Sequence, residues 1–167
     1  MFAFPYESGC LAALKKYAAD AAPGLPDRKD LGDLTKLKPG QQLAFVIQQH
    51  DAERAGKHHD VRFGNSELGL FSWATRKNLP EPGKQVMLFQ QPVHSYSYRD
   101  FEGTIADGYG KGRVKVKDEG KVLITKASPR SIAFSRIDER TPERFTLVKP
   151  PDMKGWLLKN VTPLEPV

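Results

Sequence analysis

The chain is short of cysteine. Cys10 is the only one in 167 residues. No internal disulfide can form, which excludes a disulfide scaffold and a cysteine-rich zinc fold and suits a reducing, cytoplasmic compartment. Long apolar runs are also missing. None approaches the ~20 residues of a spanning helix, so an integral membrane protein is excluded and no membrane partner is expected. Met1 to Pro5 is apolar but has no basic segment, and Glu7 interrupts it. No secretory leader is therefore expected. The sequence has no internal repeat and no low-complexity tract. Acidic residues are outnumbered, 20 against 26 Lys and Arg, for a net charge of +6 and a pI near 9.4. That excess favours an anionic partner, nucleic acid or a phosphorylated substrate.

What is present suits one domain, able to bury roughly 70% of the surface its unfolded chain exposes. Gly and Pro, 14 and 13 of them, cut it into short pieces. The segment Gly9 to Ala22, with Leu11, Leu14 and Tyr17, reads as a helix capped by Ser8 and ended by Pro23-Gly24. Residues 25–42 are polar, and Leu31, Leu34 and Leu37 support one helical turn at most. From residue 43 the pattern becomes β-rich. Strands are expected near 43–49, 58–64, 67–75, 85–91, 101–105, 112–118, 121–126, 130–137, 143–149 and 155–161, with a turn at Glu119-Gly120 among others. The fold class is all-β, an antiparallel barrel, closed or partly open, or a sandwich, with an N-terminal helix. The expected organisation is an arm packed on the barrel (1–42), a barrel domain (43–162) and a tail or linker (163–167).

Three of the four histidines, His50, His58 and His59, fall within ten residues. Strand side chains alternate faces. His58, Asp60 and Arg62 therefore share one face, with His59, Val61 and Phe63 on the other. Gln48 and His50 share a face of the preceding strand. If the two strands pair antiparallel, His50 lies beside His58. Two imidazoles and a carboxylate suit Mn, Fe or Zn, and the Arg62 fork suits phosphate oxygens. The ordinary alternative is a solvated polar strand face.

A second cluster runs from Pro92 to Gly103. His94 and Tyr98, four apart, would lie on one side of a helical turn. A third feature is Lys111-Gly112-Arg113-Val114-Lys115-Val116-Lys117. Its four basic residues would line one strand face over roughly 20 Å and could track a nucleic-acid backbone. A solvated outer face is an equal reading.

Several pieces occur in order: Gln48-x-His50-Asp51-Ala52, His58-x-Asp60-x-Arg62, Ser72-Trp73-Ala74, His94-x-x-x-Tyr98-x-Asp100-Phe101-Glu102-Gly103, Gly108-Tyr109-Gly110-x-Gly112 and Trp156-Leu157-Leu158-Lys159. Together, over about residues 44–160, they resemble the 3′-phosphoesterase domain of bacterial DNA ligase D. The resemblance implies a β-barrel repair enzyme, dependent on Mn or another divalent metal such as Co or Zn. It would trim DNA or RNA-tipped DNA 3′ ends during end joining. It would remove a terminal ribonucleoside and then the remaining 3′-phosphate, with a ligase or repair polymerase fused or in trans. Carried over by position, His50, His58 and Asp60 would hold the metal. Arg62, His94 and Tyr98 would act on the scissile phosphate, and Gln48 would support them. The loop from His50 to His58 is two residues longer than the family pattern. His59 replaces a usual Tyr, and Gly64 and Pro92 stand where acidic residues are common. These departures bear on substrate range and rate rather than on the metal core.

A bound divalent ion can polarise a phosphoryl oxygen. Arg62 and a protonated His94 would then offset charge on the non-bridging oxygens. Two other functions fit parts of the pattern. A non-haem iron oxygenase also uses two His and a carboxylate, but Arg62, the second cluster and the positive charge argue against it. A non-catalytic module that binds nucleic-acid ends would not need the whole His, Asp, Arg and Tyr set.

Overall fold

The computed structural model describes residues 30–53, 56–106 and 111–164. The helix expected over Gly9 to Ala22, the Gly108-Tyr109-Gly110 turn and the end of the tail lie outside them. Nine strands follow one another: β1 (Gln42–Ala52), β2 (Gly56–Asn65), β3 (Gly69–Thr75), β4 (Gln85–His94), β5 (Gly103–Ile105), β6 (Gly112–Ser128), β7 (Ser131–Arg136), β8 (Arg144–Val148) and β9 (Trp156–Asn160). All pair antiparallel, in the order β1-β2-β3-β4-β9-β8-β7-β6-β5. β1 also pairs with β6, which closes eight strands into a barrel and leaves β5 as a short flap outside it. Closure removes the exposed edges that a sandwich would keep.

Alternation decides what fills the barrel. Leu43, Phe45 and Ile47 of β1, Val61 and Phe63 of β2, and Phe71 and Trp73 of β3 point inward. They meet Val122, Ile124, Phe134, Phe145 and Trp156 from the other strands. Phe63 of β2 reaches Phe134 of β7 at 5.4 Å between ring centroids, and stacks on Trp73 at 5.1 Å. The interior is thus packed with rings rather than open. The expected turn near Leu34 is a single 3-10 turn, Leu34–Lys36, and Asp33 accepts a hydrogen bond from the Thr35 amide. Leu37 after it is buried.

One element differs from expectation. The two strands expected at 112–118 and 121–126 are a single strand, β6. Glu119-Gly120 is not a turn. Gly120 lies in the ladder opposite Phe45, where an added Cβ would collide with the Asp138 carboxylate. Glycine here serves a close approach within a strand. The irregularity sits earlier. Gln48 faces Val116 and Ile47 faces Asp118, so Lys117 is an extra residue, a β-bulge. Before it the odd β6 residues share the inward side of the wall. After it the even ones do, and Val122 and Ile124 enter the core.

Candidate active site

The even residues of β1 and β2 face outward, yet Gln48, His50, His58, Asp60 and Arg62 are all buried. The 3-10 turn Tyr96–Asp100 packs against β2 and β3, over this face. Ladder register places His50 opposite His58, Gln48 opposite Asp60 and Val46 opposite Arg62. Two strands joined by a loop therefore bring the two imidazoles face to face, at 4.9 Å between ring centroids. Ligand atoms of His50, His58 and Asp60 lie within 4.8 Å of one another. Nδ1–H of His58 donates to the Gly56 carbonyl at 3.3 Å. This hydrogen bond turns Nε2 toward Asp60, 3.5 Å away.

The donor set fits a divalent transition ion: two neutral nitrogen donors and one anionic oxygen, buried and convergent. Burial alone would raise the Asp60 pKa. The neighbouring His58 and the Arg62 guanidinium outweigh it and hold the carboxyl well below the usual carboxylate range. Asp60 is thus ionised at neutral pH, as a ligand must be.

Arg62 joins this centre to the second cluster. Its Nη2 lies 3.1 Å from Asp60 Oδ2, and its guanidinium sits over the Tyr98 ring, 4.7 Å from the centroid. Arg62 Nε and Nη1 are buried with no hydrogen-bond partner among the described residues. Buried, unmatched guanidinium N–H groups are costly unless an anion receives them. The Tyr98 ring stacks on Phe101 and stands 5.0 Å from the His94 ring.

His94 departs from the protonated state expected of it. Burial pushes its pKa down to about 3, helped by the Arg62 charge. Nδ1–H donates to the Pro92 carbonyl at 2.8 Å. Nε2 therefore carries a lone pair, and it too is buried and unpartnered among the described residues. His94 thus presents an acceptor, not a cation.

Gln48 holds the segment that covers the site. Its Nε2 donates to the Tyr98 and Phe101 carbonyls at 2.9 and 3.1 Å, tying the covering segment to β1. Ser72 was not singled out for a role in the sequence. It is fully buried, opposite Arg62 in the β2–β3 ladder, and its Oγ has no hydrogen-bond partner among the described residues. Strand alternation opposite Arg62 was the signal that could have found it.

The basic stripe is not brought to this face. Arg113 and Lys115 stand opposite Asp51 and Gln49 of β1, one position out of phase with His50 and Gln48, and so on the other side of the wall. Lys111 approaches Glu53 at 3.7 Å. Lys117 lines a cavity with His59. As alternation required, His59 faces away from His50, His58 and Asp60.

Comparison with known proteins bears on the same residues. The sequence profile described as the DNA Ligase D 3′-phosphoesterase domain matches residues 48–149, from the first polar site residue of β1 to just past β8. The chain is 39% identical over 95 residues to the multifunctional non-homologous end joining protein LigD of Pseudomonas aeruginosa. That stretch is 56% of this chain and only 10% of the relative.

Proposed function

The chain belongs to the DNA ligase D 3′-phosphoesterase domain family, and from that premise we propose that it is a metal-dependent 3′-end-processing phosphoesterase of DNA end joining. It removes 3′-terminal ribonucleosides and 3′-phosphates. The observation that carries this reading is the junction of the His50, His58 and Asp60 donors with Arg62, whose unmatched N–H groups require an oxyanion.

In this reading His50, His58 and Asp60 hold one Mn or a similar ion. When bound, it polarises a phosphoryl oxygen and lowers the pKa of water. Arg62 donates to oxygens of the incoming phosphate through the N–H groups that Asp60 leaves unmatched, Nε and Nη1, as charge-assisted contacts from two edges of the guanidinium. The phosphate charge that enters beside Arg62 raises the proton affinity of His94. His94 Nε2 then takes up a proton and can return it to the departing oxygen. Tyr98 braces both, with the Arg62 guanidinium over its ring and the His94 ring 5.0 Å away. Gln48 keeps the segment that carries Tyr98 at the right height above β1. Arg113 and Lys115, on the other side of the wall, contact substrate backbone away from the scissile bond.

A 5′-labelled primer-template ending in one ribonucleotide tests the activity, incubated with Mn, Mg, Zn or EDTA. Shortening by one nucleoside, followed by a mobility shift from phosphate loss, is expected with Mn and absent with EDTA. A product pattern indifferent to EDTA would refute metal dependence. DNA binding without any product would leave an end-binding module instead.

A further inference from the structure

On the inner side of the β1–β2–β6 wall, opposite the metal face, the barrel mouth holds a cavity of about 340 Å³. That lies within the roughly 300–1,000 Å³ usual for small-molecule sites. Ile47, Val61 and Leu79 give it an apolar floor, and Lys77, Lys117 and His59 a polar rim. Both lysines are exposed and make no ion pair among the described residues.

The lining also includes two carboxylates, Asp118 and Glu143. Arg136 engages Asp118 at 2.8 Å, and Asn160 Nδ2 donates to Glu143 at 3.2 Å. Both carboxylates thus have hydrogen-bond partners of their own, and the ammonium groups of Lys77 and Lys117 are left on the rim to receive an anion. Lys115 extends this rim, since Thr75, His59, Gln49 and Lys115 form one row across β3, β2, β1 and β6.

His59 supplies the independent observation. It is 7% exposed. Its Nδ1–H donates to the Lys77 carbonyl at 3.2 Å. Nε2 is left as a buried acceptor with no partner among the described residues. A buried acceptor is costly unless a ligand supplies an O–H or N–H donor. The cavity thus calls for one molecule with an anionic end, a donor close by and an apolar body. A nucleotide meets all three requirements.

We propose that this cavity is a second site, separate from the metal face, which takes a nucleotide phosphate between Lys77 and Lys117 while a sugar hydroxyl or base N–H donates to His59 Nε2. The phosphate comes from a free nucleotide or from the 5′ end of a DNA strand.

Metal-free protein in EDTA is titrated with adenosine 5′-monophosphate, with a 5′-phosphorylated oligonucleotide, and with adenosine as control. Amide NMR follows each titration. Saturable shifts at His59, Lys77, Asn78 and Lys117 are expected with the phosphorylated probes and not with adenosine. Response to the monophosphate identifies a free-nucleotide site, and response to the oligonucleotide alone a strand-end site. Arg62→Ala, which disables the phosphate position at the metal face, should keep these shifts. The double variant Lys77→Ala, Lys117→Ala should weaken binding about tenfold or more, the loss of two charge-assisted contacts, and its amide spectrum reports whether it is folded. The proposal fails if neither phosphorylated probe gives saturable shifts at these amides, if Arg62→Ala abolishes them, or if the double lysine variant binds as before.

Discussion

His94 shows how one buried side chain couples the site to stability. Its pKa is pushed down from 6.5 to about 3 by burial and then by Arg62. As the pH falls below 6.5 the unfolded chain takes up a proton that folded His94 refuses. The stability tied to neutral His94 is complete above that point and is lost progressively toward pH 3. Asp60 is also depressed, so its contribution is lost only lower still, as the carboxylate range is crossed. Metal-free protein unfolded in urea at about pH 7.5 and about pH 5 separates the two. Wild type should lose on the order of 1–2 kcal/mol more than His94→Gln over this interval. Equal losses would mean that His94 titrates normally. Arg62 and Ser72 teach a related point: Arg62 Nε and Nη1, Ser72 Oγ and His94 Nε2 are among the buried polar atoms with no hydrogen-bond partner among the described residues, and a phosphate received beside Arg62 would meet them.

At the scale of elements, the sequence carried the site further than the sheet. Period-two alternation and a short loop were enough to place His50 beside His58 and to turn His59 away, because both are local properties of β1 and β2. The joining of 112–118 with 121–126 was not legible. Glycine marks a turn and a close strand contact equally well, and only Asp138, packed over Gly120, decides between them. The side of the wall taken by Arg113 and Lys115 was hidden too. It depends on the β1–β6 register, a pairing between segments about sixty residues apart in sequence and shifted by the bulge at Lys117. Nor could alternation choose between barrel and sandwich, since closure is that same long-range pairing. Gly120→Ala tests the role given to this glycine. Asp138 is held by Arg136 at 3.1 Å and accepts from the Lys121 amide at 3.1 Å, so it cannot yield freely. A loss of about 1–3 kcal/mol in urea unfolding is expected. A neutral or stabilising effect would mean that the carboxylate moves aside without cost.

Over the whole molecule, one wall of the barrel separates two kinds of positive charge. Arg62 is buried beside Asp60, while Arg113, Lys115 and Lys117 are exposed on the other side. Exposed charges that meet phosphates act through counterion release, with a log–log salt slope near −0.9 per contact on duplex. Replacing Arg113 and Lys115 should flatten the slope of duplex binding by about 2. An unchanged slope would leave them as a solvated face. The central claim is that one buried centre of His50, His58 and Asp60 holds the metal while Arg62 and His94 serve the phosphate. Titration of Mn into the protein, followed by electron paramagnetic resonance, tests it most directly. One Mn per chain should bind to wild type, to Arg62→Ala and to His94→Ala, and that site should vanish in Asp60→Ala. Undiminished binding by Asp60→Ala, or an empty site in His94→Ala, would contradict it.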